Sequence, residues 1–272
     1  MKLLVTINKK EDLLNLDKSL VSGIIIGIDG LTVNTNFSLS KEEVIPLLKD
    51  YKVVYLLINK IMHNKDLPYL EEIIDYFKEE NIKFIFYDLA VLEIAKKLEI
   101  ENKFIIREDH LNNSIMSNKF FSSQKLDGAI LSNDITLDEI IEIKKSVSYK
   151  IYILAYGYVP IFNSGRKLIS GYLDYIKEDK EDGTYYLKYN EKEYPVMEKD
   201  DMTVVYDYEK IDYSSEYDIF KENNIDYLIL NTIYEDGNIN DVIRNFTLKV
   251  NKNNYKGFLY TKTIYRVKKD EK

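Results

Sequence analysis

Eight short apolar runs recur along the chain, and between them apolar positions return at helical spacing. The runs are KLLVTI from Lys2, GIIIGID from Gly23, VVYLLIN from Val53, KFIFYD from Lys83, KFIIRE from Lys103, GAILSN from Gly128, KIYILAY from Lys150 and DYLILNT from Asp226. Eight strands flanked by helices are what a closed parallel barrel requires. The same alternation could build an open doubly wound sheet, but the GxGxxG fingerprint after the first strand is missing. The pattern therefore predicts an α/β fold, a (β/α)8 TIM-type barrel.

The intervening segments carry helix start signals. Ser40-Lys-Glu-Glu43 and Thr136-Leu-Asp-Glu139 fit the capping box, in which hydroxyl and carboxylate each satisfy a free backbone amide. In LDEIIEIKK, Leu137, Ile140, Ile141 and Ile143 form one stripe, as a helix packed on a sheet demands. Strand spacing is regular up to the seventh run and then breaks. The stretch YYLKYNEKEYPVMEKDDMTVVYDYEK from Tyr185 reads as two or three short strands, and SSEYDIFKENN supplies the delayed helix. This is a small β-rich insertion between strands seven and eight, on a loop at the C-terminal face where barrels build their sites. The expected organisation is strands one to seven over 1–173, the insertion over 174–210, barrel completion over 211–250 and a basic C-terminal arm over 251–272.

Composition changes this picture in three ways. At 272 residues, 45% hydrophobic and 31% charged, the chain suits one large globular domain, and no apolar run is long enough to cross a membrane. The apolar start MKLLVTI gives way to charge too soon for a signal peptide, so a cytoplasmic protein is expected. Cysteine is absent, which excludes disulfides, thiolate catalysis and a cysteine-held iron-sulfur cluster, and no cofactor is expected. The net charge of -8 argues against indiscriminate nucleic-acid binding. Arg244 to Lys272 is nonetheless basic, and reads either as a solvated tail or as an arm that touches phosphate.

The register brings Asp29, Asn59, Asp88, Arg107 with Glu108, Ser132 with Asp134, Tyr156 with Gly157, and Asn231 to one rim. Such a ring binds a polar ligand by hydrogen bonds and is a poor set for hydrolysis. His63 and His110 follow strands three and five, but lack the spacing of a metal motif; an ordinary loop histidine is the plainer reading of each, and no metal is expected. Ser164 before Gly165 lacks the G-x-S-x-G elbow and a histidine nearby in sequence to activate it. Arg166 and Lys167 follow a glycine that exposes backbone amides, and could hold a carboxylate or phosphate or merely cap a surface helix. Catalytic residues remain unassigned.

The stretch YGYVPIFNSGRKLISGY resembles the signature of the collagenase-like peptidase family U32, E-x-F-x-x-G-[SA]-[LIVM]-C, four residues, then G-x-C-x-[LIVM]-S. Gly157, Val159, Gly165, Ile169 and Ser170 match, whereas Pro160 and Lys167 replace the two cysteines and Tyr152 replaces the glutamate. Asn59 with His63 and Asn64 resembles the family's V-N-x-x-x-H-N segment. Asp88-Leu-Ala-Val91 resembles D-P-A-V, and Leu131-Ser132 with Asn133-Asp134 stands at its L-S-R-E. Tyr194-Pro195-Val196 with Glu198, and Gly257-Phe258-Leu259, resemble its later motifs. After strand eight, Ile229-Leu230-Asn231-Thr232-Ile233 lacks the family's Lys, Glu and Arg.

This resemblance implies a barrel whose mouth residues Asn59, His63, Asn64, Asp88, Ser132, Asp134, Gly157, Ser164, Gly165, Arg166 and Lys167 contribute to a ligand site. Members of the family act in RNA or quinone hydroxylation, and the chain is similar to a short paralogue linked to 5-hydroxylation of the tRNA wobble uridine. The implied partners are a longer family paralogue and, through the basic arm, tRNA, with no membrane. The alternatives are a collagenase-like peptidase and a non-catalytic scaffold that binds a longer paralogue.

Overall fold

Each apolar run forms a strand because neighbours on both sides bury it, with only Lys2, Lys83 and Lys150 among the strand residues left partly or wholly open to water. In the computed structural model, which describes residues 1–109, 112–181, 183–250 and 253–262, the eight strands are Lys2–Thr6, Gly23–Ile28, Val54–Ile58, Ile82–Phe86, Phe104–Arg107, Gly128–Ile130, Lys150–Gly157 and Tyr227–Asn231. Each pairs in parallel with its neighbours, and the first strand pairs with both the second and the eighth, so the sheet closes. A TIM-type barrel is the result. Both expected capping boxes are present, with Ser40 and Thr136 each accepting from the amide three residues on and receiving the glutamate in return. The stripe on helix Leu137–Ser146 buries Leu137, Ile140 and Ile143.

At the strand starts the barrel interior is filled by three tyrosines. Tyr152 and Tyr227 stack at 4.5 Å, and Tyr55 meets both edge-on at 6.2 and 6.3 Å, from the opposite side of the barrel. Burial pushes the Tyr152 phenol well above its usual pKa, so it donates, at 2.8 Å, to Asp127. Lys83 and Lys150 also reach Asp127, each at 2.7 Å. Gly128 is needed beside these rings, because a Cβ there would lie 2.2 Å from the Lys150 carbonyl oxygen and 2.8 Å from the Tyr152 ring.

Where two or three strands are expected, the insertion forms three, Tyr185–Tyr189, Lys192–Lys199 and Met202–Tyr206, in an antiparallel sheet with a fourth, Pro160–Ser164. The fourth strand lies N-terminal to position 174, where the insertion was expected to start. It reads as a loop in isolation and becomes a strand only through its pairing with Met202–Tyr206. Helix Leu168–Ile176 follows it, and Tyr217–Glu222 is the delayed helix. Met197, Val204, Tyr206 and Ile233 make a second core between this sheet and the barrel, closed by Tyr158 and Tyr234.

Residues 253–262 of the expected basic arm return to the barrel. Leu137 N donates to Leu259 O at 2.9 Å, Asp212 N donates to Tyr255 O at 3.1 Å, and Lys256 pairs with Glu216 at 2.8 Å. Arg244 and Lys249 are paired with Asp17 and Asp218, so part of the local positive charge is neutralised within the fold. Residues 251–252 and 263–272 of the arm lie outside the described residues.

Candidate functional site at the barrel mouth

The mouth is occupied by the chain itself. Residues 31–35 after strand two are all buried. Asn59, at the end of strand three, holds them: its Oδ1 accepts from Val33 N at 2.9 Å and its own N donates to Leu31 O at 3.1 Å. Thr32 accepts from Ile28 N at 2.9 Å and donates to Leu57 O. Tyr206 of the small sheet then donates to Asn34 O at 3.2 Å, and Lys199 reaches Thr35 O and Ser38 Oγ. Burial lowers the Lys199 ammonium below the usual lysine range. The small sheet is thereby fastened over the plug.

Beside the plug lies a buried charge pair. Arg107, at the end of strand five, donates through Nε to Asp109 at 2.7 Å and sits over the Tyr87 ring at 5.6 Å. Both side chains are nearly excluded from water. Burial opposes the charge on Arg107, but Asp109 outweighs it and the guanidinium stays ionised. Burial pushes the neighbouring Tyr87 and Tyr206 phenols far above their usual range, so both remain hydrogen-bond donors.

A cleft of about 150 Å³ remains open at the edge of the plug, lined by Asn59, Lys60, Ile61, Tyr87, Asp88, Asn163 and Met202. Two residues expected in the site, Asn59 and Asp88, meet here. Asp88 also caps helix Leu89–Lys97, accepting from Ala90 N at 2.9 Å, while its other oxygen accepts from Met62 N at 3.2 Å. Lys60 pairs with Asp66 at 2.9 Å, and Asp66 also accepts from His63 N at 3.0 Å. The cleft has room for a small polar group held by amides and a carboxylate.

The other expected residues are distributed around this cleft. His63 and Asn64 sit on an exposed turn at its edge. Ser132 is buried and structural, its Oγ donating to Asp109 O at 2.6 Å and accepting from Asp134 N at 3.1 Å. Gly157 is buried at the exit of strand seven. Ser164 ends the fourth strand of the small sheet opposite Thr203, and Gly165 approaches Ile61. Arg166 and Lys167 are exposed and do not line the cleft; Lys167 faces Asp201 at 3.6 Å, which Lys65 also approaches at 3.3 Å. His110 lies outside the described residues. Among the described residues, no group of three or more His, Asp or Glu is placed to hold a metal, and no helix is long and apolar enough to cross a membrane.

Sequence reading missed Lys60, Asn163 and Met202 as cleft walls, and the cluster in which Glu235 accepts from Tyr156 at 3.0 Å and pairs with Lys210. Burial raises the Tyr156 phenol to about 12. No spacing rule links positions 156, 210 and 235. Only the closure of strand seven beside strand eight brings them together.

Comparison with known proteins places these features. The chain is 24% identical over 215 residues to tRNA hydroxylation protein P2 of Bacillus subtilis, covering 74% of this chain and 70% of that one. It is 27% identical over 161 residues to an uncharacterized protease of Methanocaldococcus jannaschii, covering 55% of this chain but 39% of that longer protein. Among solved structures, 3-hexulose-6-phosphate synthase from Salmonella typhimurium superposes with a TM-score of 0.50 at 12% identity, over 90% of this chain and 96% of that one, a likeness of fold alone. The sequence model of peptidase family U32 matches residues 32–234, across the mouth, the small sheet and strand eight, and the chain belongs to that family.

Proposed function

We propose that this chain is a subunit or accessory of tRNA uridine 5-hydroxylation that binds a small polar or anionic ligand at the barrel mouth. The observation that carries the reading is its similarity, along most of both chains, to a protein named for tRNA hydroxylation. The cleft beside Asn59 and Asp88 supports a small ligand, since its volume of about 150 Å³ suits a compact polar molecule rather than a polypeptide segment. In this reading the chain works in the cytoplasm beside a longer relative. Any cluster-borne redox chemistry then belongs to that relative, because this chain has no cysteine.

The test is deletion of the gene followed by mass spectrometry of nucleosides from bulk tRNA. Loss of 5-hydroxyuridine derivatives, restored by the wild-type chain, is the expected result; unchanged modification refutes the reading. A scaffold role is favoured by one specific observation, the filling of the mouth by residues 31–35. Under it, Asp88→Ala and Asn163→Ala chains that still fold restore modification fully. Gelatin cleavage by the purified chain, lost in Ser164→Ala, supports the peptidase alternative.

A further inference from the structure

Helix Leu168–Ile176 packs one side on the small sheet, where Leu173 is buried, Leu168 N donates to Thr203 Oγ1 at 3.0 Å and Ser170 binds Glu198. Its other side is apolar and faces water. Leu168, Tyr172, Tyr175 and Ile176 are 43%, 62%, 84% and 36% exposed, and their spacing of four, seven and eight residues sets them on one stripe. Together they offer roughly 400 Å² of apolar surface, as much as the largest patch of an ordinary monomer, which is often functional.

Two further features of this helix are not accounted for by contacts within the chain, apart from the pairing of Lys167 with Asp201 at 3.6 Å. Gly171 weakens the helix interior, yet a Cβ there would meet nothing within 4 Å, so no contact inside the chain demands a glycine. The charges also oppose the helix dipole. Arg166 and Lys167 stand at the N-terminal end, with no acidic residue in the first turn, while Asp174, Glu178 and Asp179 outnumber Lys177 at the other end. Lys180 beyond them is paired with Glu198 at 3.1 Å. Among the described residues, Arg166, Asp174, Glu178 and Asp179 have no ion-pair partner.

We infer that this face binds the same face of a second copy of the chain, helix against antiparallel helix across a two-fold axis at Tyr172. That arrangement sets Leu168 opposite Ile176 and brings Arg166, just before one helix, to the end of the other that Glu178 follows, so each basic end meets an acidic end and the apolar stripe covers itself. The charge pattern selects this occupant over nucleic acid, because the acidic end of the helix repels phosphate. The apolar area is about half of the roughly 800 Å² that each side of a standard interface buries, so the dimer is weak and concentration-dependent.

Sedimentation velocity of the full chain from about 1 to about 200 μM reads this directly. The expected result is a shift from monomer toward dimer across that range. Tyr175→Asp and Arg166→Glu, both at exposed positions, each weaken the dimer at least about tenfold without lowering the melting temperature, and Arg166→Glu combined with Glu178→Arg restores it. A wild-type chain that stays monomeric overturns the inference, as does a dimer that Tyr175→Asp leaves intact or a charge reversal that fails to restore association. Binding of an anticodon stem-loop RNA by a monomer, lost in Tyr175→Asp, assigns the face to RNA instead.

Discussion

Gly157 lies directly against the Asn231 carbonyl: a Cβ on Gly157 would stand 2.1 Å from that oxygen, and the Gly157 φ is +116°. Strands seven and eight can close at the mouth only if this position carries no side chain. Asn231 is in turn fixed, its Oδ1 accepting from Asn8 Nδ2 at 3.0 Å and from Ile233 N at 3.2 Å. Gly157→Ala adds both a clash and a strained φ, and is expected to cost about 3 kcal/mol or more. A lower urea midpoint at unchanged slope checks it.

Asn59 is expected to act on the plug before it acts on any ligand. Asn59→Ala leaves the buried Val33 amide without its acceptor, at a cost of about 1–3 kcal/mol. Hydrogen exchange at the Val33 amide is the specific readout. Exchange as slow as in the wild type would show that another group holds residues 31–35.

Arg107 and Asp109 form a buried pair whose members are costly only when separated. Arg107→Met leaves the Asp109 carboxylate uncompensated and is expected to destabilise by about 3–5 kcal/mol at neutral pH. Arg107→Met combined with Asp109→Leu is expected to recover most of that loss. Chemical denaturation of the three variants decides it, and additive losses would contradict the pairing.

Asp127 predicts a pH dependence. Burial alone raises its pKa, but hydrogen bonds from Lys150 and Lys83, with a further one from Tyr152, outweigh burial and hold it below the usual aspartate value. A carboxyl lowered in the folded state contributes stability above the unfolded-state value and loses it as pH falls toward the folded value. The stability difference between the wild type and Asp127→Asn is therefore constant at neutral pH and shrinks below about pH 4. Urea midpoints measured from pH 7 to pH 3 test this; a difference that grows on acidification contradicts it.

Much of the barrel was legible because its signals are local. KLLVTI and DYLILNT became strands within a residue or two of their expected limits, and Ser40 with Glu43 capped a helix three residues apart, since strand burial and capping act over one turn or one run. The site was legible only in part. Asn59 and Asp88 do meet at one cleft, but Ser164, Arg166 and Lys167 do not line it, because strand Pro160–Ser164 carries them onto the small sheet.

The sequence by itself determined the order of strands and helices, the closure expected of eight such units, the absence of thiol chemistry and the family resemblance of the seventh-strand exit. Each of these depends on residue type or on spacing along the chain. Tertiary structure alone decided that residues 31–35 fill the mouth, that Arg107 pairs inward with Asp109 rather than facing a ligand, and that Tyr172 and Tyr175 face water. These outcomes depend on which surfaces distant segments cover. Tyr206 reaching Asn34 across 172 positions is a contact that no local periodicity records.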